Sequence, residues 1–222
     1  MEYIRIQSIE HPLFAKMHLL MQQVFPPEEV LAFDKWAGPI QDETIHVYVA
    51  VHEGEVVGAT EYRYYPDMHV AMTDFTIIGR AGLGIGRFLL KSRERDLAQL
   101  AAGSGTKPLG MFAEIYNPSE SEHKFSGNTP MNPYVRREVL SHIGYRRLDF
   151  PYVHPSWEEN GEAVTGLDLS FLPADEEMTS VPASLVTQFL HTYYSALPDK
   201  PQQWHDMVAQ LNGRTSIELK EL

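Results

Sequence analysis

Residues 76–90 read TIIGRAGLGIGRFLL: an apolar run that closes in three alternating glycines and passes directly into a helix-like sequence. Gly82, Gly84 and Gly86 carry no Cβ and tolerate positive φ, so the turn offers bare backbone amides at the positive end of the following helix. A phosphorylated ligand is the chemistry such a turn suits. A P-loop would need Lys and then Ser or Thr after its last glycine, and here Gly86 is followed by Arg87 and Phe88. A dinucleotide fingerprint would need G-x-G-x-x-G after an early strand. Gly84-Ile85-Gly86 is followed by Arg87-Phe88-Leu89, and the loop lies over a third of the way along the chain.

Around this loop the elements fall into order. Tyr3 to Ile9 alternates as a first strand. Phe14, Met17, His18, Met21 and Val24 recur at helical spacing between His11 and Phe25, and Pro26-Pro27 stops them. A second helix is expected over Glu28 to Trp36, ending near Gly38. Strands follow at His46 to His52, Val56 to Tyr65 and His69 to Ile77, the first two joined by a tight turn at Glu53-Gly54-Glu55. A long helix from about Gly84 to Ala102 precedes an apolar strand, Leu109 to Tyr116, of the buried type. Asn117 to Met131 is polar and reads as a surface loop, with Glu120, Glu122 and His123 as candidates for substrate recognition. Pro133 opens a helix that Gly144 stops, and strands are expected at Tyr145 to Val153 and Val164 to Phe171.

This order, β-α-α-β-β-β-loop-α-β-α-β-β, together with the loop, resembles the GNAT superfamily of acyl-CoA-dependent N-acetyltransferases over residues 1–172. In the family pattern (Arg/Gln)-x-x-Gly-x-(Gly/Ala), Gly84 and Gly86 fill the glycine positions; the Arg/Gln position falls on Ala81, with Arg80 one residue early. Glu53-Gly54-Glu55-Val56-Val57-Gly58 looks like the family's hairpin. Gly144-Tyr145-Arg146-Arg147-Leu148 resembles its step from fourth helix to sixth strand. The resemblance implies an α/β fold with a mixed, mostly antiparallel central sheet flanked by helices, the acyl-CoA loop lying between strand 4 and helix 3. It implies acetyl-CoA as co-substrate, held by Ile77, Ile78, Arg80, Gly82, Leu83, Gly84, Ile85, Gly86 and Arg87, with Asn117 on the CoA arm. The amine would attack the thioester directly, which suits a chain without cysteine.

Three acids are candidates for the general base. Glu114 interrupts the apolar strand Leu109 to Tyr116, where a carboxylate needs either a function or a partner such as an arginine or backbone amides. Asp74 lies near where related enzymes place a carboxylate before the loop, and Glu61 stands in Ala59-Thr60-Glu61-Tyr62; either can equally be an exposed strand position. Many relatives carry a tyrosine four residues before the glycine that ends the fourth helix. That position is Leu140, which leaves Tyr116 and Tyr134 as candidates to protonate the leaving thiolate.

Composition narrows the rest. The chain has 222 residues, 43% hydrophobic and 22% charged, within the range of a globular protein of one domain or one domain with an added lobe. The absence of cysteine excludes disulfides, thiolate metal sites and a thiol nucleophile, and the ten histidines show no metal-ligand spacing. A net charge of −12 with scattered basic residues argues against nucleic acid and is compatible with a cationic amine acceptor, small molecule or peptide. MEYIRIQSIEH does not resemble a secretory signal and no run of about 18 apolar residues is present, so no membrane partner and a cytoplasmic protein are expected. Residues 173–222 fall outside the resemblance. They are expected to be a helical extension, over Pro182 to Leu197 and Trp204 to Leu211, that packs on the parent domain or forms a homodimer contact.

Overall fold

The computed structural model describes residues 1–25, 30–103, 105–121, 133–156 and 162–222. The described residues divide into two compact units, those up to residue 111 and those from residue 112 on.

The first unit runs β1 (Glu2–Ile6), α1 (Pro12–Val24), a single 3-10 turn (Phe33–Trp36), α2 (Ala37–Gln41), β2 (Ile45–His52), β3 (Glu55–Tyr65), β4 (Val70–Ile78) and α3 (Ile85–Gly103). Its strands lie in the order β1-β2-β3-β4, all pairs antiparallel, with Tyr3 opposite Ala50, Val49 opposite Ala59 and Thr60 opposite Thr76. The β2-β3 turn places Glu53 at φ 51° and Gly54 at φ 80°, the pair of left-handed residues that matches strand twist in a two-residue hairpin. Val47, Val49, Ala59, Phe75 and Ile77 pack with Phe14, Met17 and Met21 of α1. Ala50 and Val57 pack with Ile85 and Leu89 of α3. Both faces are covered, which is why β2 is buried along almost its whole length.

One expected element differs. Of the helix expected over Glu28 to Trp36, residues 26–29 lie outside the described residues, Val30 to Ala32 are not helical, and the 3-10 turn and α2 follow. Phe33 and Trp36 both set their ring edges against Phe14, at 4.8 and 6.2 Å. Residues three apart align on a 3-10 turn, so this packing favours the tighter helix.

The second unit holds most of β5 (Gly110–Tyr116), with α4 (Pro118–Ser121), α5 (Pro133–Ile143), β6 (Arg146–Leu148), β7 (Leu167–Pro173), β8 (Ser180–Pro182), α6 (Ala183–Tyr193), α7 (Gln202–Asn212) and β9 (Ser216–Lys220). Its strand order is β5-β7-β6-β9-β8, with β6 antiparallel to β7 and β9, and β8 antiparallel to β9. The strand expected to reach Val153 ends at Leu148, because the Phe150 N–H turns back to the Leu148 carbonyl at 2.9 Å and Pro151 follows. The strand expected from Val164 begins at Leu167; Gly166, at φ 81°, breaks the run, and Val164 makes only an isolated bridge to His154. The polar segment after Asn117 contains one helical turn, α4, before residues 122–132, which lie outside the described residues.

The C-terminal fifty residues are more than helical. They contribute β8 and β9 as well as α6 and α7, and β9 pairs directly with β6. Phe189 of α6 stacks on Phe112 of β5 at 4.1 Å, and Phe171 of β7 closes on the same ring at 4.8 Å. Fused burial of three large rings ties α6 to this unit's core.

Candidate functional site

In the first unit, Gly79 leaves β4 with its N–H on the Val57 carbonyl at 2.9 Å. The turn then carries Gly82 at φ 82° and Gly84 at φ 66°, left-handed values that side chains resist. A Cβ built on either would meet nothing within 4 Å, so the space over both is open. The first hydrogen bond of α3 runs from the Phe88 N–H to the Gly84 carbonyl at 3.0 Å. By helix geometry the N–H groups of Ile85, Gly86 and Arg87 therefore have no acceptor within α3, and they point out of its positive end. Ile77 and Ile85 are buried, Ile78 and Leu83 half-buried, and Arg80 and Arg87 exposed. The loop is braced from below at two glycines: a Cβ on Gly58 would come within 2.5 Å of Ile85 Cγ2, and one on Gly86 within 3.0 Å of Ile78 Cδ1.

The same unit pairs two of the expected acids. Glu61 of β3 is 3% exposed, whereas Asp74 of β4 is exposed, and the Asp74 N–H donates to Glu61 Oε2 at 3.3 Å. Burial pushes the Glu61 carboxyl well above its ordinary range, and the neighbouring Asp74 charge and a side-chain hydrogen bond to it push the same way. Glu61 thus holds its proton to higher pH than an ordinary carboxyl does. Beside them Arg93 of α3 is buried, its Nη1 donating to Thr60, Thr73 and Thr76 hydroxyls at 3.2, 3.3 and 3.0 Å. Tyr62 and Tyr48 both donate to Asp96 of α3, at 2.5 and 3.1 Å, fastening α3 to β2 and β3.

In the second unit, Glu114 sits on β5 at the centre of a network that sequence reasoning did not assemble. Its Oε1 accepts from the hydroxyls of Tyr152 and Tyr194 and lies 2.8 Å from His154 Nδ1. Tyr152 and Tyr194 hydroxyls are 2.5 Å apart, and His154 Nδ1 is 2.9 Å from that of Tyr194. Burial alone would raise the Glu114 carboxyl. The His154 charge and the three donors outweigh it and hold the group below its ordinary value, so Glu114 is a stable carboxylate. Burial and then the Glu114 charge push Tyr152 well above the usual phenol range.

The remaining expected residues of this unit lie around other contacts. The Tyr116 carbonyl accepts from Arg137 at 3.3 Å, and Tyr134 is 50% exposed on α5. Asn117 Oδ1 accepts from the N–H and hydroxyl of Ser119, at 3.2 and 2.7 Å, and its Nδ2 donates to Glu120 at 3.0 Å, so its side chain caps α4. Leu140 packs against Ala113, Ile115 and Tyr145. Glu122 and His123 lie outside the described residues. Among the described residues, no group of three or more His, Asp or Glu is placed to hold a metal ion, and no helix is long and apolar enough to cross a membrane.

No family model and no curated protein matches the sequence. Solved structures do match. One is a protein described as an acetyltransferase of the GNAT family from Bacteroides thetaiotaomicron, with a TM-score of 0.63 and 12% identity over 89% of this chain and 97% of that one. An aminoglycoside 6'-acetyltransferase type Ii matches with a TM-score of 0.51 and 15% identity over 77% of this chain and 95% of that one. An aminoglycoside 6'-N-acetyltransferase complexed with coenzyme A matches with a TM-score of 0.50 and 16% identity, over 77% of this chain and 95% of that one. With its glycine loop between the fourth strand and α3, the chain has the fold of the GNAT acetyltransferases.

Proposed function

We propose that this protein transfers an acyl group, acetyl foremost, from acetyl-CoA to a primary amine on a small molecule or peptide. The observation that carries the reading is the loop at residues 79–84, with two left-handed glycines under open space and three amides beyond them at the end of a 19-residue helix. A pyrophosphate fits that donor set, and a Cβ at Gly82 or Gly84 would stand in its way. Support also comes from the coenzyme A complex of a protein with the same fold.

In this reading the amides of Leu83 to Arg87 hold the pyrophosphate, and those near Ile77 and Ile78 meet the thioester carbonyl oxygen as it gains charge. Asp74 takes the amine proton, directly or through water, as the nitrogen attacks. The C–N bond forms, the C–S bond breaks, and the thiolate leaves to be protonated, for which Tyr116 and Tyr134 are the candidates. Glu61 keeps a neutral donor against Asp74, so the proton Asp74 accepts is not shared between two ionised acids. Glu114, a stabilised carboxylate with three donors on one oxygen, is the poorer base and is assigned to ordering its own strand.

The test is thiol release from acetyl-CoA against a panel of amines, with acyl products identified by mass. Turnover with at least one amine, reduced about 100-fold or more in Asp74→Asn, is expected. Products carrying only longer acyl groups would move the reading to another acyl donor. Ala81 and Leu140, which depart from the family pattern, favour a second reading as a CoA-binding or protein-interaction module without turnover, and CoA affinity with no transfer to any amine would favour it.

A further inference from the structure

Beyond the glycine loop, the exposed face of α3 carries a ladder of cations. Arg87, Lys91 and Arg95 follow at intervals of four, so their side chains lie one above another, about 6 Å apart along the helix. All three are exposed and line one open depression together with Gly84, Phe88 and Glu94. Among the described residues no ion pair or side-chain hydrogen bond engages Arg87 or Lys91. Arg95 lies along the helix, its Nε donating to the Lys91 carbonyl at 3.3 Å and its Nη2 to Ser92 at 3.1 Å, with further N–H groups left over.

Like charges stacked at this spacing repel, and the chain as a whole carries a net charge of −12. A strip of unneutralised cations beginning at the loop itself is the arrangement that a second anion, covalently linked to the first, would relieve. CoA has that second anion: a phosphate on the 3′ carbon of the ribose, one sugar away from the pyrophosphate. We propose that Lys91, flanked by Arg87 and Arg95, binds the ribose 3′-phosphate and makes the protein discriminate CoA from its dephosphorylated form. This rests on the acyl-CoA reading. Glu94 lines the same depression, between Lys91 and Arg95 in the sequence, and is the one acid on its rim among the described residues.

The experiment is calorimetric titration of the full chain with CoA and with 3′-dephospho-CoA, for the native protein and for a Lys91→Gln, Arg95→Gln double variant. Both side chains are exposed, so the variant should fold, and its thermal unfolding confirms that. Native protein should bind CoA about fivefold or more tightly than dephospho-CoA, the scale of one or two exposed ion pairs. The double variant should bind dephospho-CoA as the native protein does and lose most of the preference for CoA. Equal native affinities for the two ligands, or a preference that survives in the variant, would overturn the 3′-phosphate site and leave the loop reading intact. Binding of neither ligand would overturn both.

Discussion

Glu61 and Asp74 form a pair in which burial and the neighbouring Asp74 charge hold the Glu61 proton to higher pH than usual. The unfolded chain releases the Glu61 proton near its ordinary pKa of 4.5, whereas the folded protein keeps it to higher pH. Between those values the folded state binds the extra proton, so this residue's contribution to stability declines as pH rises. Glu61→Gln, which keeps a neutral donor toward Asp74, removes the decline. The unfolding free energy of the variant minus that of the native protein should therefore grow with pH from about 4.5 upward; a difference that does not change with pH would contradict the pairing. Glu114 has the opposite sign. Glu114→Gln replaces a charged acceptor of three donors with a neutral one, and chemical denaturation should show a loss of about 2 kcal/mol. That loss should shrink in acid, as native Glu114 itself becomes protonated. Glu114 was legible because an acid in an apolar strand is conspicuous. Its partners were not, since Tyr152, His154 and Tyr194 lie 38, 40 and 80 residues away and nothing local marks them.

At the scale of elements, the glycine loop and the hairpin at Glu53-Gly54 were readable because left-handed backbone is a local property that glycine advertises. The short strands β8 and β9 were not, although Ile217 and Leu219 alternate, because three- and five-residue strands are specified by the partners they find. The seat of α3 on β3 and β4 depends on Gly58, where a Cβ would crowd both Ile85 Cγ2 and the Ile77 carbonyl at 2.8 Å. Gly58→Ala should cost about 2 kcal/mol and displace the start of α3, weakening CoA binding although residue 58 lies outside the loop. Unchanged stability and affinity would show that α3 accommodates the methyl group without moving.

At the scale of the whole molecule, the sequence resemblance ends near residue 172, yet β9 pairs with β6 and Phe189 stacks on Phe112. A chain ending at Leu172 would leave the edge of β6 and the apolar face around Phe112 exposed, and should lose cooperative thermal unfolding and aggregate. A soluble, cooperatively melting truncation would show that residues 173–222 are an accessory. The central claim is that the loop between β4 and α3 grips an acyl-CoA. Calorimetric titration of acetyl-CoA into the native protein and into a Gly84→Ala, Gly86→Ala variant tests it most directly. Micromolar binding by the native protein, lost in a variant that still unfolds cooperatively, is the result expected; no binding by the native protein at millimolar ligand, or equal binding by both, would contradict it.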